Sequence, residues 1–131
     1  MSCKRVKVMV VEDEVLIGMM LAKKLRSLGY EVGDVIAKGE DAVAVAVQEQ
    51  PSVILMDVTL AGEMNGIEAA KIIKSRTQIP IIIFTGYNDK FIHDQVQSVR
   101  PAAVLSKMDP VSAIVAAIDK ATISQSPIVK P

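Results

Sequence analysis

Two rhythms of apolar and polar residues alternate along the chain. Five short apolar runs occupy residues 6–11, 32–37, 53–56, 81–84 and 102–105. Between and after them the apolar positions recur at helical spacing. Ile17, Leu21, Leu25 and Leu28 are spaced by four, four and three residues, and Gly29 marks a helix end. A second helix is expected over residues 40–49, closed by Pro51. A third is expected over residues 66–76, with Ile67, Ala70 and Ile73 inward, and a fourth over residues 88–98. The fifth begins near Pro110, a good first-turn residue, and ends near Ala121. The runs at 53–56 and 81–84 are continuous, as suits strands covered on both faces of a parallel sheet. The run at 32–37 is broken by Gly33 and Asp34 and suits an edge strand. Strict strand–helix alternation predicts an open α/β sandwich with right-handed crossovers. Ligand sites in such sheets lie beyond the carboxyl ends of the strands, where strand order reverses.

Composition narrows the class. Half of the 131 residues are hydrophobic but only 3% are aromatic, with no Trp, so the core must be aliphatic. The seven methionines are expected mainly as core filler. Fifteen basic residues balance fifteen acidic ones, which disfavours direct nucleic-acid binding. Cys3 stands alone, so no internal disulfide forms, and a reducing compartment is expected. No apolar run approaches the ~20 residues of a membrane span, and residues 1–5 do not resemble a secretory signal; a cytoplasmic protein is expected. Residues 122–131 lack periodicity and contain Ser-Gln-Ser-Pro, which reads as a tail or linker after a single domain at 1–121.

The chemistry gathers at the strand ends. Strand 1 ends in Glu12-Asp13-Glu14, strand 3 in Asp57, strand 4 in Thr85-Gly86 and strand 5 in Ser106-Lys107. The fold would bring three carboxylates beside a hydroxyl and an ammonium. Crowded carboxylates repel and call for a cation; oxygen ligands favour a hard ion, and Mg²⁺ suits a shell completed by phosphate oxygens. Lys107 and Thr85 could each contact a phosphate oxygen. Positioning and charge neutralisation are the main requirements of phosphoryl transfer. Glu14 reads as a helix-start residue favourable to the dipole. The lone His93 is expected to be exposed.

Five segments together resemble one known family: Val-Val-Glu-Asp-Glu (10–14), Ile-Leu-Met-Asp-Val (54–58), Asn-Gly-Ile-Glu-Ala (65–69), Pro-Ile-Ile-Ile-Phe-Thr-Gly (80–86) and Leu-Ser-Lys (105–107). Over residues 5–121 the chain resembles the response-regulator receiver domains. The resemblance implies a flavodoxin-like (βα)5 doubly wound parallel five-stranded sheet of order 2-1-3-4-5. It also implies that Asp57 is the phosphoacceptor, that Glu12, Asp13, Asp57 and the Thr59 backbone carbonyl hold Mg²⁺, and that Thr85 and Lys107 contact the phosphoryl group. The donor would be a sensor histidine kinase or a histidine phosphotransfer protein. The chain would be a signalling domain, not an enzyme acting on a separate substrate.

The chain departs from the family pattern in four places. Leu60-Ala61 replaces Met-Pro, and the loop 59–65 is one residue longer than the common form. Val104 stands where an inward-swinging aromatic is usual. Met108-Asp109 separates Lys107 from Pro110. The familiar threonine–aromatic relay is therefore not expected, and Tyr87 is either its substitute or an ordinary surface residue. Helix 5 carries apolar residues on nearly every face. That predicts a contact surface on helix 4, strand 5 and helix 5, for a homodimer or another partner. Two other readings remain: an aspartate-nucleophile phosphatase, which would need a second aspartate two residues after the first where Thr59 stands, and a receiver fold kept only for docking.

Overall fold

The computed structural model describes residues 6–60, 62–86 and 90–123, with the side chains of residues 90–92 outside that description. Five strands and five helices alternate: β1 (Lys7–Val11), α1 (Val15–Ser27), β2 (Glu31–Val32), α2 (Gly39–Glu49), β3 (Val53–Met56), α3 (Gly66–Arg76), β4 (Ile81–Thr85), α4 (Lys90–Ser98), β5 (Ala103–Ser106) and α5 (Val111–Ile123). The strands form one parallel sheet of order β2-β1-β3-β4-β5, as the resemblance implied.

Successive strand residues point to opposite faces, and both faces are covered. Val8, Val10, Val53, Leu55, Ile82 and Phe84 pack under α1 and α5, against Leu21, Leu25, Ile114 and Ile118. Met9, Val11, Ile54, Met56, Ile81 and Ile83 pack on the other face, against Ala42, Ala46, Ile67, Ala70, Ile73 and Val96. This two-sided burial explains why β3 and β4 read as unbroken apolar runs.

Local chemistry sets the element ends. α1 closes with Gly29 at φ +101°; the Gly29 N–H donates to Arg26 O and the Tyr30 N–H to Leu25 O. This is the Schellman arrangement that the glycine predicted. α3 opens with a capping box: the Glu68 N–H donates to Asn65 Oδ1 and the Asn65 N–H to Glu68 Oε1, both at 2.9 Å.

The structure corrects four details. β2 covers two residues rather than six. Arg26 donates to the carbonyls of Val32 and Gly33, which draws that stretch toward α1. The chain rejoins β1 only through a single bridge between Val11 and Ile36. On α1 the inward stripe is Gly18, Leu21, Ala22 and Leu25, while Ile17 and Leu28 face outward. Leu28 lies just past the last helical residue. Pro110 precedes α5 and accepts from the Ala113 N–H. α5 continues to Ile123, two residues past its expected end. The expected start of helix 4 at 88, together with Tyr87 and residues 124–131, lies outside the described residues. Among the described residues, no helix is long and apolar enough to cross a membrane.

Candidate functional site

Sheet order reverses at β1, whose neighbours are β2 and β3. The backbone brings their carboxyl ends level: the Asp57 N–H donates to Val11 O, directly before Glu12. β4 ends beside them with Thr85, paired in register with Ser106 of β5, and the Lys107 N–H donates to Thr85 O. All four loops picked out from the sequence therefore meet at one edge of the sheet.

Glu12, Asp57 and Thr85 are the buried polar residues among those described, with Glu12 at 1% and Asp57 at 2% exposure. Such burial is costly for carboxylates unless they are paired. Lys107 supplies the pairing. Its Nζ lies 2.9 Å from Asp57 Oδ2 and 2.8 Å from Glu12 Oε1. Asp57 Oδ1 accepts from the Thr59 N–H at 3.3 Å, and Glu12 Oε2 from the Glu14 N–H at 3.0 Å. Burial works against the charge of Lys107, but the contacts with Glu12 and Asp57 outweigh it and raise its pKa. Burial also pushes the Glu12 carboxyl above the usual carboxylate range, against the opposing pull of Lys107 and the Glu14 N–H.

Carboxylate oxygens of Glu12, Asp13 and Asp57 lie within 4.8 Å of one another, close enough to share one cation. Glu12 Oε1 is buried and has no aligned hydrogen-bond donor, despite its short ionic contact with Lys107. Three clustered carboxylates sharing a single ammonium fit a small hard cation. The loop after β3 is also held tightly. The Gly66 N–H donates to Val58 O at 2.8 Å, and a Cβ at Gly66 would lie 1.8 Å from Asp57 O. Only glycine permits this approach of α3 to the backbone of Asp57.

Two features escaped the sequence reading. Glu14 stands at the start of α1 as expected, but its side chain caps nothing and its Oε1 lies 3.6 Å from Lys107 Nζ, a contact the sequence did not suggest. The second concerns α1, where Val15, Leu16, Met19 and Met20 are each 59% exposed or more. Met19 and Met20 are thus not core filler, and neither is Met108, although Met9 and Met56 are. The spacing of 15, 16, 19 and 20 marks a second apolar stripe visible in the sequence. On α5, by contrast, Ile114, Ile118 and Ala121 enter the core and Val111, Ala113, Val115 and Ala117 are half-buried, so much of its apolar excess is used internally. Val104 is exposed on β5, and His93 is exposed as expected.

Comparison with known proteins agrees with this geometry. A family profile described as response regulator receiver domain matches residues 8–119. The transcriptional regulatory protein PdtaR of Mycobacterium tuberculosis is 33% identical over 115 residues, covering 88% of this chain and 56% of that protein. The chain thus spans about half the length of this curated relative. The signal receiver domain of a modulated diguanylate cyclase from Desulfovibrio desulfuricans G20 superposes with a TM-score of 0.87 at 30% identity, covering 93% of this chain and 97% of that one. A CheY-like receiver domain protein from Methanospirillum hungatei JF-1 shares the fold at a TM-score of 0.84 and 22% identity, covering 93% and 97% of the two chains. With the profile spanning the sheet and the motifs meeting at its carboxyl edge, the chain belongs to the response regulator receiver domains of two-component systems.

Proposed function

We propose that this domain takes a phosphoryl group onto Asp57 from the phosphohistidine of a sensor kinase or histidine phosphotransfer protein in the cytoplasm. The observation that carries the reading is the buried Asp57 carboxylate, held between the Thr59 N–H and the Lys107 ammonium at the sheet's reversal point. A carboxylate oxygen of Asp57 attacks phosphorus and a new O–P bond forms. The P–N bond to the donor imidazole breaks, and its electron pair stays on the ring. Lys107 then meets a phosphoryl oxygen, and Thr85, at the end of β4, meets another. Glu12, Asp13, Asp57 and the Thr59 carbonyl would hold Mg²⁺, which neutralises phosphoryl charge when bound. Asp57 catalyses nothing on a separate substrate; the domain carries out only its own phosphorylation and slow dephosphorylation.

The exposed stripe of α1 begins next to Glu14, at the rim of the site, and suits the docking of the donor protein. Phosphorylation adds charge and acceptor oxygens at Asp57. Val104 is small and stiff, so the response would pass through the loop after Thr85 and the packing of α4 against α5. The surface of α4, β5 and α5 would then change its affinity for a partner or a second copy. The test is intact mass after incubation with acetyl phosphate and Mg²⁺. One phosphoryl group is expected on the wild type and none on Asp57→Asn; equal labelling of the variant would overturn the assignment.

A further inference from the structure

Lys107 has a third carboxylate neighbour that phosphoryl acceptance itself does not require. Glu12 and Asp57 are enclosed, with side chains 1% and 3% exposed, whereas the Glu14 side chain is 63% exposed. The Lys107 side chain retains 18% exposure. Glu14 therefore occupies the solvent side of the ammonium. Its backbone is the N-cap of α1, but its carboxylate accepts nothing from the first turn and is left to Lys107. A phosphoryl oxygen arriving from solvent must displace this carboxylate or share Lys107 with it. Around that entrance the carboxylates of Glu12, Asp13, Glu14 and Asp57 outnumber the one ammonium and would still leave a net negative charge with Mg²⁺ held among them, so a free anion meets a repulsive field. The penalty grows with the charge of the donor.

Resting on the phosphoacceptor reading above, we infer that Glu14 is a specificity-determining residue that sets the site against small, free, doubly charged phosphoryl donors. A protein-borne donor is affected less. It brings binding energy from docking on α1, whose exposed Val15 and Leu16 directly follow Glu14, and the docked surface covers the entrance. Glu14 then swings away from Lys107 at little cost, because only its backbone is held. In the small-donor reaction an Asp57 oxygen attacks phosphorus. The P–O bond of acetyl phosphate breaks and acetate leaves with the electron pair, so no further reactant is needed.

The test compares initial rates of labelling by acetyl phosphate, a dianion, and phosphoramidate, a monoanion near neutral pH, at saturating Mg²⁺. Glu14→Gln should raise the acetyl phosphate rate about three- to tenfold, the scale of one partly screened charge. It should raise the phosphoramidate rate less, and Glu14→Asp should stay near wild type. On the wild type alone, added salt should raise the acetyl phosphate rate relative to phosphoramidate, which checks the inference independently of any variant. A Glu14→Gln rate equal to or below wild type, or the same gain with both donors, would overturn it, as would a salt response equal for both. Absence of any label on the wild type would instead overturn the phosphoacceptor reading, and this inference with it.

Discussion

Asp57 and Glu12 are both buried at the site, but they are held differently. Asp57 is pinned from below by Gly66 and from the side by Lys107. Glu12 keeps one oxygen without a hydrogen-bond donor. Burial raises its pKa above the ordinary value of 4.5, so the folded state holds its proton more tightly than the unfolded chain does. Stability from that proton is present below the unfolded value and is lost as pH rises through the folded one. In metal-free protein, then, ionised Glu12 is a cost at neutral pH. Glu12→Gln should stabilise the metal-free domain more at about pH 7 than at about pH 4. Denaturant midpoints in chelator at the two pH values measure this, and a gain that is larger at acid pH would refute it. Added Mg²⁺ should stabilise the wild type and not the variant, by linkage to a site that only the folded state offers.

At the scale of elements, α1 has two working faces. One buries Leu21, Ala22 and Leu25 under the sheet, and the other leaves Val15, Leu16, Met19 and Met20 in water beside the site. Leu16→Gln should change folding stability by no more than ~0.5 kcal/mol, as expected of an exposed position. Labelling by acetyl phosphate should hold within about twofold, while transfer from the cognate phosphohistidine protein should fall about tenfold or more, the scale of a lost interface anchor. Equal losses with both donors would place the effect in the site rather than in docking. The double stripe also shows how the sequence can be read and misread. Leu21 and Leu25 and the buried strands were legible because periodicity and run length report burial directly, whereas Ile17 and Leu28 share the spacing but face outward. The strand-end residues were legible because topology fixes which loops meet. The outer stripe of α1 was passed over because methionines ordinarily fill cores. The shortening of β2 was illegible because it depends on Arg26 reaching two carbonyls across the α1–β2 turn. The role of Glu14 was hidden for a similar reason: its contact is with a lysine in a distant part of the chain.

Across the whole molecule, a second long-range tie sits at the opposite edge from the acidic site. The Tyr30 hydroxyl, just after α1, donates to Asp119 Oδ1 on α5 at 3.0 Å. Burial, then the Asp119 carboxylate, raises the tyrosine from 10.0 to about 12. The folded state therefore keeps this proton where the unfolded chain has lost it. The stabilisation is complete below the unfolded value and disappears as pH rises through the folded one. Denaturant midpoints of the wild type should fall between about pH 10 and about pH 12, and Tyr30→Phe should flatten that part of the curve; an unchanged slope would remove the tie from the account. At the other edge, the account stands or falls on where the phosphoryl group resides. The most direct measurement is borohydride reduction of the labelled protein followed by peptide mass mapping, since reduction converts an aspartyl phosphate to homoserine. The account predicts homoserine at position 57 alone, dependent on Mg²⁺ and absent when a chelator precedes the donor. Homoserine at another carboxylate, or a phosphoryl group that resists reduction on a hydroxyl or an imidazole, would contradict it.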